Sequence, residues 1–324
     1  MSDELTFEDV GRWLRTRVSR GPWTVTVGLC RTLLALGMAG TLLATPASVL
    51  FTPVSGLPHG ATCGGQAALS AFCLGGNTHR QTLTLICGLA CLLIATGWRP
   101  RITGLVQWWI AYSFFITSTV PDGGDQVMAV ITLFLLPVVL TDRRRWHWSP
   151  SRRADEPVGL SKLVAGWGLF FVRMQVVVIY LDSAVSKFGV PQWANGTAMY
   201  YWLRNPVFGV RPSIVGFEGR LLGLPGVVVP FTFGVMLVEL SIGVAFLLPR
   251  RVRKPIFFGG LALHVGIAVV MGLVSFGFAM TACLVVYLLP DDEVPGVVRA
   301  ASVLRSKFSH RTPDEPQATG AGSG

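Results

Sequence analysis

Charge is scarce in this sequence. Asp, Glu, Lys and Arg make up 14% of 324 residues, against 51% hydrophobic residues and a mean hydropathy of +0.56. A soluble domain carries about 25% charged residues, so the polar surface that solubility requires is missing. Metal-binding patterns are also missing. There are five histidines, none at ligand spacing to another, and neither an HExxH run nor a Cys/His cluster. No metal site is expected. No CxxC pair occurs among the six cysteines, and the N-terminal stretch has no signal-peptide cleavage pattern. A basic face on a soluble domain is lacking too, so the pI of 9.8 does not point to nucleic acid.

What is present is a series of apolar runs of near-bilayer length, bounded by Arg clusters or Pro/Gly turns. Eight segments qualify: 24–44, 80–97, 102–119, 126–141, 163–186, 227–248, 255–273 and 275–290. The fourth is short, and almost nothing joins the last two. The expected fold class is an all-α integral membrane protein, a polytopic bundle of seven or eight transmembrane helices with an outer-face interfacial or re-entrant segment. Residues 1–23 form an N-terminal cytoplasmic segment, in which "FEDVGRWLRTRVSR" reads as an interfacial amphipathic helix. Residues 24–290 form the transmembrane domain, whose first span is expected to be retained, and 291–324 a polar, disordered tail.

Charge orients this bundle. With the N-terminus inside, 20 of the 27 Lys and Arg residues fall in inner segments and five on the outer side. The positive-inside rule describes that asymmetry, and reversing it puts "DRRRWHWSPSRR" and "PRRVRK" outside. Both termini are therefore expected in the cytoplasm of a cell-membrane protein, with the basic loops facing anionic head groups of the lipid bilayer.

Cys63 and Cys73 sit in the first outer loop with nine residues between them, while Cys30, Cys87, Cys91 and Cys283 lie inside spans. The outer face permits oxidation, so a disulfide between Cys63 and Cys73 is expected as a loop staple, with a redox-active role as the alternative. Cys87 and Cys91 share a helix face and read as small packing residues.

Arg31, Arg173, Glu239 and His264 are ionisable residues within spans, where a charge costs at least ~2.5 kcal/mol. In the fifth span, Arg173, Val177, Tyr180, Ala184 and Lys187 form one helical stripe, with Lys187 at the outer end, about 21 Å beyond Arg173. Asp182 lies on another face, so Lys187 must find a partner on a different element or face a wet cavity. Glu239 is the obvious partner for Arg173 or Arg31, either as a registry-fixing ion pair or as part of a site. His264, in "GGLALHVGIAVVMG", is either a hydrogen-bonded packing residue or a site residue. Beyond Lys187, "PQWANGTAMYYWLRNPVFG" gathers Trp193, Tyr200, Tyr201, Trp202 and Phe208, which predicts an interfacial helix over 194–204. Asp122 and Asp125, in "VPDGGDQ", read either as partners for Lys187, Arg204 or Arg211 or as solvated turn formers.

"IYLDSAVSKFGVPQWANGTAMYYWL" resembles the central signature of the HTTM family, the membrane module shared with vitamin K-dependent gamma-carboxylase, at Tyr180, Lys187, Phe188, Trp193, Gly196, Tyr200 and Tyr201. "LHVGIAVVMGLVSFGFAM" is similar to the family's late helix, with His264 and a Phe twelve residues on at Phe276. The earlier segments "RTLLALGMAGTLLATPASVLF", "WRPRITGLVQWW" and "VPDGGDQVMAVITLFLLP" resemble the bacterial branch called sporulation-delaying protein B-like, which is associated with maturation of a secreted peptide toxin.

The resemblance implies a base at Lys187 tied to oxidation of a reduced, vitamin K-like quinone. A partly desolvated lysine can offer a neutral amine as base. Tyr180 and His264 join it as catalytic candidates. Trp193, Tyr200, Tyr201, Arg173 and Glu239 are candidates for binding cofactor or a secreted peptide substrate. The carboxylase's large extra-membrane domain has no counterpart after the last span, so a separate soluble partner is expected to supply peptide recognition. Two further classes stand beside this enzyme: a non-catalytic membrane peptide-binding, export or immunity factor, and a quinone-linked thiol oxidase using Cys63 and Cys73.

Overall fold

The computed structural model describes residues 21–54, 60–149, 159–206, 208–210 and 224–289. The expected N-terminal interfacial helix and C-terminal tail, and outer Arg211 and Arg220, lie outside these residues. Eleven α-helices run in order among the described residues: α1 Val25–Ala44, α2 Ala47–Leu50, α3 Arg80–Ala95, α4 Pro100–Thr117, α5 Gly123–Thr141, α6 Leu160–Phe188, α7 Pro191–Ala194, α8 Ala198–Leu203, α9 Pro225–Gly243, α10 Arg250–Val270 and α11 Val274–Leu288. No strand appears among these residues, only an isolated Trp98–Trp146 bridge.

All eight apolar segments are helical, with shifted ends. α5 begins at Gly123 because Asp122 and Asp125 build a reciprocal capping box: the Asp122 side chain accepts from the Asp125 amide at 3.0 Å, and Asp125 returns the contact at 2.9 Å. Their carboxylates are therefore helix caps, and Asp122 also accepts from the Ser275 hydroxyl at 3.4 Å. α10 begins at Arg250, five residues before the apolar run, because the basic cluster Arg250–Lys254 forms its first turn.

Five helices are long and apolar enough to cross a membrane: α1, α5, α6, α9 and α10. The expected seven or eight is a larger number, and the difference lies in three elements. α3 and α11 are apolar but 16 and 15 residues long, under the about 20 that span a bilayer upright. α4 has 18 residues, but Arg101 and Gln107 dilute its apolar character.

The short helix α11 is the hub. Ala279, Met280 and Ala282 through Leu288 are all buried, and the helix packs on α1, α5, α6 and α10. A helix apolar around its whole circumference belongs in such a position. α10, by contrast, buries only Phe257, Gly260 and His264 and sits at the periphery. Gly272, at φ +82°, makes the tight turn between these two helices, a conformation that disfavours a side chain.

The ends of α3 and α5 are zipped together at one end of the bundle. The Arg99 amide donates to Arg145 O at 2.7 Å, the His147 amide to Gly97 O at 3.0 Å, and the Trp148 indole to Thr96 O at 2.8 Å. At the opposite end, Phe51, Phe72 and Phe114 pack at ring separations of 5.3–6.3 Å, next to the loop in which Cys63 and Cys73 are bonded to each other. The other four cysteines are buried and free.

Candidate functional site

α6 is 29 residues long, about 44 Å at 1.5 Å per residue. That exceeds the ~30 Å hydrocarbon core, so its last turns reach the interface. There the stripe of Val177, Tyr180 and Ala184 is buried, and it delivers Tyr180, Ser183 and Lys187 towards α9 and α10.

Lys187 has a partner on another element. Its Nζ lies 2.5 Å from Glu239 Oε2 on α9, 2.7 Å from Ser183 Oγ and 3.1 Å from Ser183 O. An ammonium has three donors, and all three are placed. The Ser183 hydroxyl in turn donates to Glu239 Oε1 at 3.2 Å. The Trp193 ring covers the amine, with Nζ 5.0 Å from its centroid, close enough for a cation–π contact. Both charged side chains are mostly buried, at 16% and 13% exposure. Asp182 is exposed and takes no part.

Glu239 therefore does not pair with Arg173 or Arg31. The spacing along the sequence left its choice of cation open, and the α6–α9 packing settles it. Arg173, at the far end of the stripe, donates through Nε to Val286 O of α11 at 3.2 Å. It lies about 21 Å from Lys187 along the helix and belongs to the core, not to this cluster.

Two turns before Lys187 on the same face, the Tyr180 hydroxyl meets His264 Nε2 of α10 at 2.6 Å. Both side chains are buried. His264 Nδ1 is also buried and has no hydrogen-bond partner. Phe276 packs edge-on against the imidazole at 5.7 Å. Of the expected trio, Tyr180 and His264 meet each other, whereas Lys187 pairs with Glu239 two turns further along α6, about 10 Å away along the axis.

The aromatic segment is less regular than the predicted helix over 194–204. It is two short helices, α7 and α8, broken at Asn195–Thr197. Gly196 adopts φ +79° there, and a Cβ on it would come within 3.0 Å of the Phe233 ring and 3.1 Å of Val229 on α9. Of the aromatics, Trp193 joins the Lys187 cluster. Tyr200 packs beside Trp193's apolar cluster, under the Arg204 guanidinium at 4.2 Å. Tyr201 is exposed, its ring edge-on to that of Tyr200 at 5.3 Å.

Two features escaped the sequence reading. One is Ser183, for which the only signal is its spacing four residues before Lys187. The other is a buried polar centre near the zipped ends of α3 and α5. The Arg31 guanidinium donates to Gln107 Oε1 at 3.3 Å, Thr103 Oγ1 at 3.2 Å and His147 Nδ1 at 3.3 Å. The Gln107 amide donates back to Arg31 O at 2.9 Å. Thr32 spends its hydroxyl proton on Ala95 O at 2.8 Å, so its oxygen accepts from His147 Nε2 at 3.3 Å. This intramembrane cation is thus held by neutral acceptors. His147, in the loop after α5, is kept uncharged: burial, with the nearby Arg31 and Arg144 charges, pushes it down from 6.5 to about 2. Arg144 is itself paired with Asp142 at 2.8 Å.

Among the described residues no group of three or more His, Cys, Asp or Glu could hold a metal ion.

Comparison with known proteins gives the site a lineage. The HTTM domain matches residues 79–291, which include every residue of the Lys187 and His264 clusters. The chain is 37% identical over 276 residues to the uncharacterized protein YitO of Bacillus subtilis (strain 168), covering 85% of this chain and 88% of that one. It is 32% identical over 274 residues to the sporulation-delaying protein SdpB of the same organism, covering 84% and 83%. No solved structure matches. An apolar helical bundle, a domain match over most of its length and relatives aligned nearly end to end lead to one assignment: the chain belongs to the HTTM domain family.

Proposed function

We propose that this protein is a multi-pass cell-membrane protein that takes part in maturation of a secreted peptide, with Lys187 as the base of an outer-face site. The observation that carries the reading is the polar cluster itself. In a bundle with little charge, Lys187, Glu239 and Ser183 converge beneath Trp193, and the buried Tyr180–His264 pair lies two turns away on α6, about 10 Å along its axis. Similarity to the sporulation-delaying protein SdpB supports a peptide-toxin context.

The full reading has eight helices crossing the bilayer, α3, α4 and α11 included, with both termini cytoplasmic. The short crossings rest on local thinning of the bilayer and on burial of α11 among its neighbours. The inner zipper between α3 and α5 carries Arg99 and Arg143 to Arg145, in keeping with a cytoplasmic face.

A reduced quinone fits one feature of the site. The buried, unpartnered Nδ1 of His264, beside the Tyr180 hydroxyl, provides hydrogen-bonding capacity for a quinol oxygen in an otherwise apolar surround. Such a group would supply the oxidative chemistry that drives carboxylase-like modification. The protein's own residues would orient it through His264 and Tyr180, and Lys187 would accept a proton once it has passed one of its own to Glu239. Recognition of the peptide falls to Trp193 and Tyr200, and to a separate soluble partner.

The test is oxidation of a reduced naphthoquinone under oxygen by purified wild type and Lys187→Ala of equal thermal stability. Lys187-dependent formation of epoxide or quinone supports the reading; equal turnover by both proteins removes Lys187 from it.

A second reading is favoured by the saturation of Lys187. All three of its ammonium donors are occupied, as in a structural ion pair, which suits a non-catalytic peptide-binding, export or immunity factor. A thiol oxidase is less well supported, since Cys63 and Cys73 are bonded to each other and the four remaining cysteines are buried.

A further inference from the structure

The run Ser183-Ala-Val-Ser-Lys187 places a hydroxyl and an amine four residues apart, one above the other on α6. The resulting contacts have the form of an activated nucleophile: an attacking group bonded to a base, and the base held by a third residue. Ser183 Oγ is 2.7 Å from Lys187 Nζ, Nζ is 2.5 Å from Glu239 Oε2, and Oγ is 3.2 Å from Glu239 Oε1. Position favours the chemistry as well. The cluster lies in the last two turns of α6, at the interface, where water is at hand. Asp182 and Ser186 flank it and are exposed, while Ser183 itself is half-buried.

We propose that Ser183 is a nucleophile, with Lys187 as its general base, for acyl transfer from an amide or ester carbonyl of a peptide lying along the outer surface of the bilayer. This rests on the peptide-maturation reading above and gives it a bond-breaking step that needs no oxidant.

The protons balance as follows. One Lys187 ammonium proton passes to Glu239 Oε2 across their contact, leaving a neutral amine beside a carboxylic acid. The Ser183 hydroxyl turns its hydrogen from Glu239 to Nζ. Oγ bonds to the substrate carbonyl carbon as Nζ takes that proton. Collapse of the tetrahedral adduct breaks the C–N bond, and the leaving amine carries off the proton from Nζ. Water then attacks the Ser183 ester, giving its proton to Nζ, which returns it to Oγ as the ester bond breaks. The product is a shortened peptide with a new carboxyl group, and Glu239 returns its proton to Lys187. Trp193, over the amine, keeps bulk water from that side of the base.

A fluorophosphonate reagent tests this on the full chain in native membranes, with peptide mass spectrometry as readout. The expected result is an adduct on Ser183 that is absent in Ser183→Ala and forms at least tenfold more slowly in Lys187→Arg with an unchanged melting temperature. Absence of the Ser183 adduct from folded wild type overturns the proposal, as does labelling that ignores Lys187→Arg. Should Lys187→Arg not fold, Ser183→Cys decides through its rate of alkylation by iodoacetamide at pH 7. A rate at least tenfold above that of an ordinary exposed thiol supports a base at that position, and an ordinary or slower rate overturns it. Quinol oxidation followed on the same preparations separates the two readings. Oxidation without the adduct removes the nucleophile alone, and the adduct without oxidation removes the redox step alone.

Discussion

Glu239 of α9 closes on Lys187 of α6 at 2.5 Å, and this contact ties the two helices together at the C-terminal end of α6. The Ser183 hydroxyl bridges the same two residues. A pair this enclosed has asymmetric energetics: removing one partner strands a desolvated charge, whereas replacing both can cost little.

Glu239→Ala should therefore destabilise the protein by about 3 kcal/mol, the lower end of the range for broken buried pairs, because both side chains keep a little exposure. Lys187→Met together with Glu239→Met should recover most of that loss. Thermal unfolding in detergent of the two singles and the double completes the cycle. A double as unstable as the sum of the singles would mean that the two residues are not coupled.

Tyr180→Phe removes the hydroxyl that meets His264 Nε2 and leaves a buried imidazole with neither nitrogen bonded. The expected cost is about 1–3 kcal/mol, the desolvation penalty of an unmatched polar group. Adding His264→Leu to Tyr180→Phe should return much of it, since an apolar pair leaves nothing unsatisfied. A wild-type melting temperature for Tyr180→Phe alone would indicate that His264 finds another partner at once.

His147 gives the inner end a pH dependence. Its folded value, about 2, lies below the ordinary 6.5. The neutral ring therefore contributes stability that is fully present above pH 6.5 and is lost as pH falls below it, when the unfolded chain takes up a proton that the folded one refuses. The slope is about 1.4 kcal/mol per pH unit. Between pH 7.5 and pH 5 the wild type should lose about 2 kcal/mol to this group. His147→Gln can still accept from Arg31 and donate to Thr32, and it should show a flatter profile by that amount. Melting temperatures across this range provide the comparison, and parallel profiles would remove His147 as the source.

The elements were legible in the sequence because the period and length of apolar runs report directly on helices facing lipid. The stripe from Arg173 to Lys187 was also legible, since the geometry of a single helix fixes it. Pairing between helices was not. Glu239 could have met Arg31 or Arg173 equally well on hydropathy alone, and only the α6–α9 contact brings it to Lys187. Arg31 offered an even weaker signal. A buried guanidinium suggests a carboxylate partner, yet Gln107, Thr103 and His147, spread over 44 residues, supply neutral acceptors instead. His147 looked like a loop residue among arginines. Only five of the eight expected spans have full crossing length and apolarity among the described residues, and α11 is short because a helix enclosed by its neighbours needs no lipid-facing side. Asn195-Gly196-Thr197 broke the interfacial helix because Gly196 takes φ +79°, a left-handed conformation, where a side chain would also crowd Phe233 and Val229 of α9.

Arg31→Lys is the sharpest test of that inner centre, because it keeps the charge and removes only the fork. A guanidinium reaches Gln107, Thr103 and His147 at once through three separate nitrogens, whereas an ammonium on a flexible stem gathers its donors at one point. Arg31→Lys should leave at least one of those acceptors unmatched in a site with almost no solvent access. The expected loss is about 2 kcal/mol, set by one or two unsatisfied buried groups. Arg31→Met removes the charge but strands Gln107 and the His147 Nδ1 together, so it should be at least as damaging. Arg31→Met with Gln107→Leu should be milder than Arg31→Met alone. Melting temperatures rank the three variants. If Arg31→Lys matched the wild type, charge alone would suffice there and the directional network would carry no weight.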